Sequence, residues 1–178
     1  IAAQITRLLT KHGLPGEALI LEITESAQLD ENEDVYVILT KLRQVGIQIA
    51  IDDFGTGYSN LGNLKHLHAN ILKVDRVFIR DIKENGYNYN LIHNVIEFAK
   101  SNSLKVCLEG VENTSELIVL SGLQPDIFQG YLFDKPCSAD MLETKYFISN
   151  TEEYAKRLER FDKLGKEKRH APLVKMEM

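Results

Sequence analysis

The sequence predicts an α/β protein built on a parallel sheet, with a (β/α)8 barrel as the favoured form. Three observations lead there. Five short apolar runs rich in β-branched residues alternate with helical patterns across short connections. The phosphate-binding signatures of open doubly wound sheets, GxGxxG and GxxxxGK[ST], are absent. Each apolar run also finishes in a residue foreign to a core: Glu22, Asp52 with Asp53, Lys73, Glu109 and Gln129. Barrels place functional groups at the C-terminal ends of several strands, facing one mouth.

Taken in order, Ile1, Ile5, Leu8 and Leu9 recur at helical spacing, and "HGLPGE" closes that helix. "ALILEITE" (18–25) is short, apolar and bounded by turn residues, the mark of a buried strand. "EDVYVILTKLRQVG" (33–46) predicts a helix stopped by Gly46, and "IQIAID" (47–52) a second strand. "YSNLGNLKHL" suggests a short helix before the third strand, "NILKVD" (70–75). An amphipathic helix within 89–102 leads to "LKVCLEG" (104–110), the fourth strand. "TSELIVLSGL" is helical, "DIFQGYLF" (126–133) a fifth strand, and a further helix is expected near 138–148.

Composition narrows the function. With 178 residues, 44% hydrophobic and 26% charged, the chain suits one globular domain or most of one. A net charge of −5 gives no electrostatic footprint for a nucleic-acid polymer. No apolar run reaches the ~18 residues of a membrane span, and the N-terminus lacks the basic start of a signal peptide. Cys107 and Cys137 sit far apart at no metal-ligand spacing, as expected of thiols in a reducing cytoplasm. His66, His68 and His93 are expected on the surface, and the charged run after residue 150 as a solvated helix and tail.

Asp52 and Asp53 pose the chemical question, because adjacent carboxylates repel unless a metal, a base or solvent compensates. A lone acidic residue at a strand end is ordinarily a cap or a solvated loop group. Here Glu22, Asp52, Asp53 and Glu109 converge with Lys73 as the basic group. Hard oxygen donors suit Mg²⁺ or Mn²⁺ better than zinc. Two such ions about 3.5–4 Å apart would serve an in-line phosphoryl displacement. Lys73 would orient or deprotonate the attacking water, or neutralise developing charge. Gly55 and Gly57 would let the following loop fold tightly.

Four blocks carry a resemblance: "LEITES" (21–26), "DDFGTGYSNLGNLKHLHANILKVD" (52–75), "CLEGVEN" (107–113) and "QGYLFDKP" (129–136). In this order they closely resemble the EAL family, bacterial phosphodiesterases that open cyclic di-GMP to linear pGpG. The resemblance runs from about residue 1 to 145. It implies a TIM-like (β/α)8 barrel of the EAL type, and a two-metal site holding Mg²⁺ or Mn²⁺. Glu22, Asp52, Asp53 and Glu109 would be ligands, with Asp52 bridging and Lys73 handling water. Asp75 would position Lys73 or water, while Gln129 and Glu112 would lie near the metals or substrate. Glu25 would anchor the "DFGTGYSN" loop, which in the family couples the site to a homodimer. Departures from the family pattern at Asn60, Asn70 and Leu108 remove no expected ligand.

The family's Glu-x-Leu motif and a ligand asparagine have no counterpart here, so about five of eight strands are expected. A piece of a longer protein is the leading explanation, ahead of completion by a second chain or a stable partial barrel. As written, the chain is expected to bind metal weakly and turn over little. Residues 1–148 are read as the C-terminal part of the barrel and 149–178 as a helical extension. The expected activity is a metal-dependent cyclic di-GMP phosphodiesterase, cytoplasmic or on the cytoplasmic face of a membrane protein. A sensory or GGDEF-type domain is expected upstream. The alternatives are a catalytically inactive cyclic di-GMP receptor and, more remotely, a protein-interaction module.

Overall fold

The structure, a computed structural model, describes residues 1–24, 33–56, 67–148, 156 and 159. These fall into two compact units. The first comprises Ile1–Asp75 and Glu97–Cys107, the second Arg76–Ile96 and the described residues from Leu108 on. The chain passes between them within the helix Tyr87–Ser101 and within the strand Lys105–Leu108. The five strands of the sheet lie in chain order, as successive strand–helix–strand units favour.

The first unit holds helix α1 (Ala2–His12), β1 (Ile20–Thr24), helix α2 (Glu33–Gln44), β2 (Gln48–Phe54) and β3 (Ile71–Val74). It also takes the end of helix α3 (Tyr87–Ser101) and the start of β4 (Lys105–Leu108). β1 and β2 run parallel, as do β2 and β3. Ile47, Ile49, Ile51, Leu72 and Val74 are buried with Leu39 and Leu42 of α2. α1 is amphipathic but has no buried residue.

All three helices end in the same device. Gly13 (φ 65°), Gly46 (φ 93°) and Ser103 (φ 57°) adopt left-handed backbone just past α1, α2 and α3. The next residue then donates five positions back: Leu14 to Leu9 O, Ile47 to Leu42 O and Leu104 to Ala99 O. This reversal pairs the last carbonyls and turns the chain toward the following strand. Glycine adopts that conformation without strain at two of the three sites.

Asn70 supplies a second device. Its side-chain Oδ1 accepts the Ile49 N–H at 2.9 Å, its own N–H donates to Ile49 O at 2.8 Å, and Lys105 N–H donates to its carbonyl. One residue thus ties the entry of β3 to β2 and β4.

The second unit holds the start of α3, β5 (Ile127–Phe128), helix α4 (Thr114–Ser121) and helix α5 (Ala139–Leu142). α4 opens with a reciprocal cap: Glu116 N–H donates to Asn113 Oδ1, and Glu116 Oε2 accepts from Asn113 N–H. Val111, Leu117, Leu120, Leu123 and Phe128 are buried in this unit.

The predicted elements recur with shifted ends. β5 is two residues long rather than eight, because the chain after Gly130 turns. Phe133 and Asp134 N–H both donate to Gly130 O. A Cβ on Gly130 would lie 2.2–2.7 Å from Val111 backbone atoms, so the glycine is what admits the close approach of the two backbones here. The expected helix near 138–148 is α5 followed by a π-helical stretch over Glu143–Ile148. Residues 57–66, where a short helix is expected, and most of the C-terminal extension lie outside the described residues.

Candidate functional site

In the first unit the parallel register sets the geometry. Glu22 is level with Ala50, and Ala50 with Ile71, while Thr24 is level with Asp52. Side chains alternate along a strand, so Glu22, Ala50, Asp52, Ile71 and Lys73 share one face. Glu22 and Lys73 are interior to their strands rather than at their ends, and Asp52 and Asp53 lie within β2. The strands simply continue one or two residues past them.

Adjacent Asp52 and Asp53 are accommodated by a bulge. Ile51 pairs with Leu72 and Phe54 with Val74, so β2 spends one residue more than β3 over this stretch. Asp53 takes up the extra length with φ 56°, a left-handed conformation that Asp tolerates better than most residues. Its carbonyl accepts from the Thr56 N–H at 3.2 Å and the Thr56 hydroxyl at 2.8 Å, while Gly55 (φ 96°) completes the turn. The two carboxylates are thereby brought to a common set of charged neighbours.

Lys73 is the hub of that set. Its side chain is only 7% exposed, and Nζ lies 2.7 Å from Glu22 Oε1 and 3.0 Å from Asp52 Oδ1. A lysine buried to this degree needs such partners. Asp52 Oδ1 is itself buried, and the approach of Nζ lacks hydrogen-bond geometry; this oxygen has no hydrogen-bond partner among the described residues. Asp53 holds its proton more tightly than an ordinary carboxyl. Desolvation is the main cause, followed by the charges of Asp52 and Asp75, with Lys73 opposing and a hydrogen bond to the Asp75 side chain favouring the protonated form.

Glu22 and Asp52 thus contact one ammonium, with Asp53 and Asp75 close by, leaving excess negative charge and, among the described residues, an Asp52 oxygen without a hydrogen-bond partner. Chemically this suits a hard divalent cation, since every donor is a carboxylate oxygen and no imidazole or thiolate takes part. Lys73 is buried rather than on the surface.

In the second unit, Glu109 follows β4 directly and is partly exposed, ahead of Gly110 (φ 71°). A Cβ at Gly110 would come within 2.3 Å of Arg76 Cβ. Gln129 follows β5; its N–H donates to Leu108 O at 2.9 Å and its carbonyl accepts from Val111 N–H at 3.1 Å. The backbone of Gln129 is therefore fixed while its side chain is exposed. Glu112 is exposed, and its N–H donates to Glu116 Oε2 at 2.8 Å. Glu25 lies outside the described residues. His68 and His93 are exposed, Cys107 is buried and Cys137 is exposed. Sequence reasoning passed over the Asn113–Glu116 cap, although Asn-x-x-Glu before an apolar run signals one.

The profile of the EAL domain matches residues 1–136. The chain belongs to the EAL domain family. The probable cyclic di-GMP phosphodiesterase PdeA of Escherichia coli is 39% identical over 136 residues, covering 76% of this chain and 19% of that protein. The EAL domain of Mycobacterium smegmatis DcpA superposes with a TM-score of 0.75 at 36% identity, over 80% of this chain and 64% of that one. Klebsiella pneumoniae BlrP1, solved with manganese and cyclic di-GMP at pH 6, superposes with a TM-score of 0.70 at 32% identity. That match covers 76% of this chain and 34% of BlrP1. The chain thus spans about a fifth of the length of the curated relatives it matches. The EAL fold class, a TIM-like α/β barrel, is the one predicted, and five of its strands are present among the described residues. No helix among the described residues is long and apolar enough to cross a membrane.

Proposed function

We propose that this EAL chain forms the catalytic part of a metal-dependent phosphodiesterase that hydrolyses cyclic di-GMP to linear pGpG. The observation that carries it is Lys73, buried against Glu22 and Asp52, with Asp52 Oδ1 lacking a hydrogen-bond partner among the described residues. PdeA bears a phosphodiesterase name, and BlrP1 was solved with both manganese and cyclic di-GMP. Glu22, Asp52, Asp53 and Glu109 are the residues that would hold two Mg²⁺ or Mn²⁺ ions. When bound, these ions supply Lewis acidity to the attacking water and the leaving oxygen. Lys73, ion-paired with Glu22 and Asp52, orients that water and offsets charge developing on the phosphate. Asp75 positions the site through Asp53. Gln129 and Glu112 lie near the metals or substrate, and Glu25 anchors the "DFGTGYSN" loop (53–60). Residues 1–148 form the barrel portion and 149–178 an extension. The whole protein works in the cytoplasm as a homodimer with a sensory or GGDEF-type domain upstream.

The test is turnover of cyclic di-GMP by the complete protein with Mg²⁺ or Mn²⁺, read as pGpG by chromatography. Metal-dependent product is expected, reduced at least ~100-fold by Asp52→Asn. A folded, metal-loaded protein that binds cyclic di-GMP without making pGpG would replace this reading with that of a receptor.

A further inference from the structure

The register that builds the site also singles out a residue with no polar side-chain atom. Glu22, Ala50 and Ile71 form one row across β1, β2 and β3, and Asp52 and Lys73 follow on the same face. Lys73 stands on β3 and Glu22 on β1, so two inter-strand spacings of about 4.8 Å separate their backbones. Their charged tips nevertheless meet at 2.7 Å. The Lys73 arm must therefore cross over β2. The β2 residue in the row of Glu22 is Ala50, whose methyl is fully covered, as expected beneath an overlying side chain.

We infer that Ala50 is a positioning residue: its small side chain leaves the gap through which Lys73 reaches Glu22 while keeping contact with Asp52. A valine here would place two methyl groups where the lysine stem runs. Lys73 would keep Asp52, which stands beside it, but lose Glu22, and its ammonium would turn toward water. Ala50 touches no reacting atom; it acts through Lys73. Only the reaction that Lys73 serves rests on the phosphodiesterase reading; the crossing itself is set by the register and the ion pair.

The experiment is residue-specific acylation. The complete protein is pulsed with an amine-reactive acetylating ester, and the Lys73 and Lys100 peptides are quantified by mass spectrometry. Lys100, 48% exposed, serves as the internal reference. Wild-type Lys73 should react far more slowly than Lys100. Ala50→Val should speed acetylation of Lys73 by about tenfold or more while leaving Lys100 unchanged, as local opening confined to one site would. Ala50→Gly, which adds no bulk, should retain protection. So should Ile49→Val, which alters the opposite face of β2 and reports any general loosening. If Ala50→Val does not fold, Ala50→Ser asks the same question with a smaller group and should give a several-fold rise. A folded Ala50→Val or Ala50→Ser with Lys73 as protected as in the wild type would overturn the inference. So would Ile49→Val exposing Lys73 equally. No turnover is needed, so failure of the phosphodiesterase assay and failure of this test are separate results.

Discussion

β1 and β3 each give one partner to the same ion pair, but in opposite surroundings. Burial alternates along β1, with Ile20 44% exposed and the Glu22 side chain 48% exposed. All four residues of β3 are buried, Lys73 included. The difference teaches that an ion pair is not a symmetric object. Its buried end has been taken out of water and depends on its partners, whereas its exposed end can fall back on solvent.

The largest expected effect is at the buried end. Lys73→Ala would leave Glu22 and Asp52 facing each other without a cation and should lower metal-dependent turnover about 10²–10⁴-fold, as loss of a group acting on the attacking water does. The same variant should destabilise the fold by about 3 kcal/mol in urea titration. If Lys73→Ala is as stable as the wild type, the buried pair is not structural and the contrast fails. Next in size is packing. Leu72→Ala on β3 should cost about 2–5 kcal/mol, Ile20→Ala on β1 under about 1 kcal/mol, compared in one denaturation series. Equal costs would mean that β1 is as well packed as β3.

Glu22→Gln should cost about 1 kcal/mol without metal, less than Lys73→Ala, because the buried Lys73 keeps Asp52 at 3.0 Å. The sharper readout is the Tm rise on adding Mn²⁺, which should shrink if Glu22 is a ligand. Smallest is Asp53→Asn. The folded protein raises the Asp53 pKa, so its contribution to stability is full below the unfolded value and is lost as pH rises through the folded one. Asparagine also tolerates φ 56°. The variant should therefore raise the metal-free Tm slightly at pH 7, with the gain vanishing in acid, while the Mn²⁺-induced rise is reduced. A lower Tm at pH 7 would show that Asp53 does not oppose folding there.

Most of this architecture was legible because strand and helix patterns differ in period, and because acidic residues next to β-branched runs are conspicuous. Lys73 stood out in the sequence as a basic residue near the end of the third apolar run, but nothing there marked it as buried. That depends on which strands flank β3, and no local pattern encodes it. β5 was overread for a related reason. The apolar run from Ile127 to Phe133 has strand composition, yet the contact of Gly130 with the Val111 backbone bends it after two strand residues. Ala50 was silent, since what distinguishes it is the absence of volume in one row of the sheet.

The bulge in β2 has a consequence for how such a site is gained or lost. In a regular strand two neighbouring aspartates are sent to opposite faces, and only one of them serves a given mouth. The single extra residue lets both act together, so this carboxylate pair depends on chain length as much as on residue type. Deleting the one codon for Asp53 would restore an even ladder from Ile51 to Phe54 and remove the second carboxylate in the same event. Two traits that substitution would alter separately, backbone path and charge, are thereby inherited as one unit.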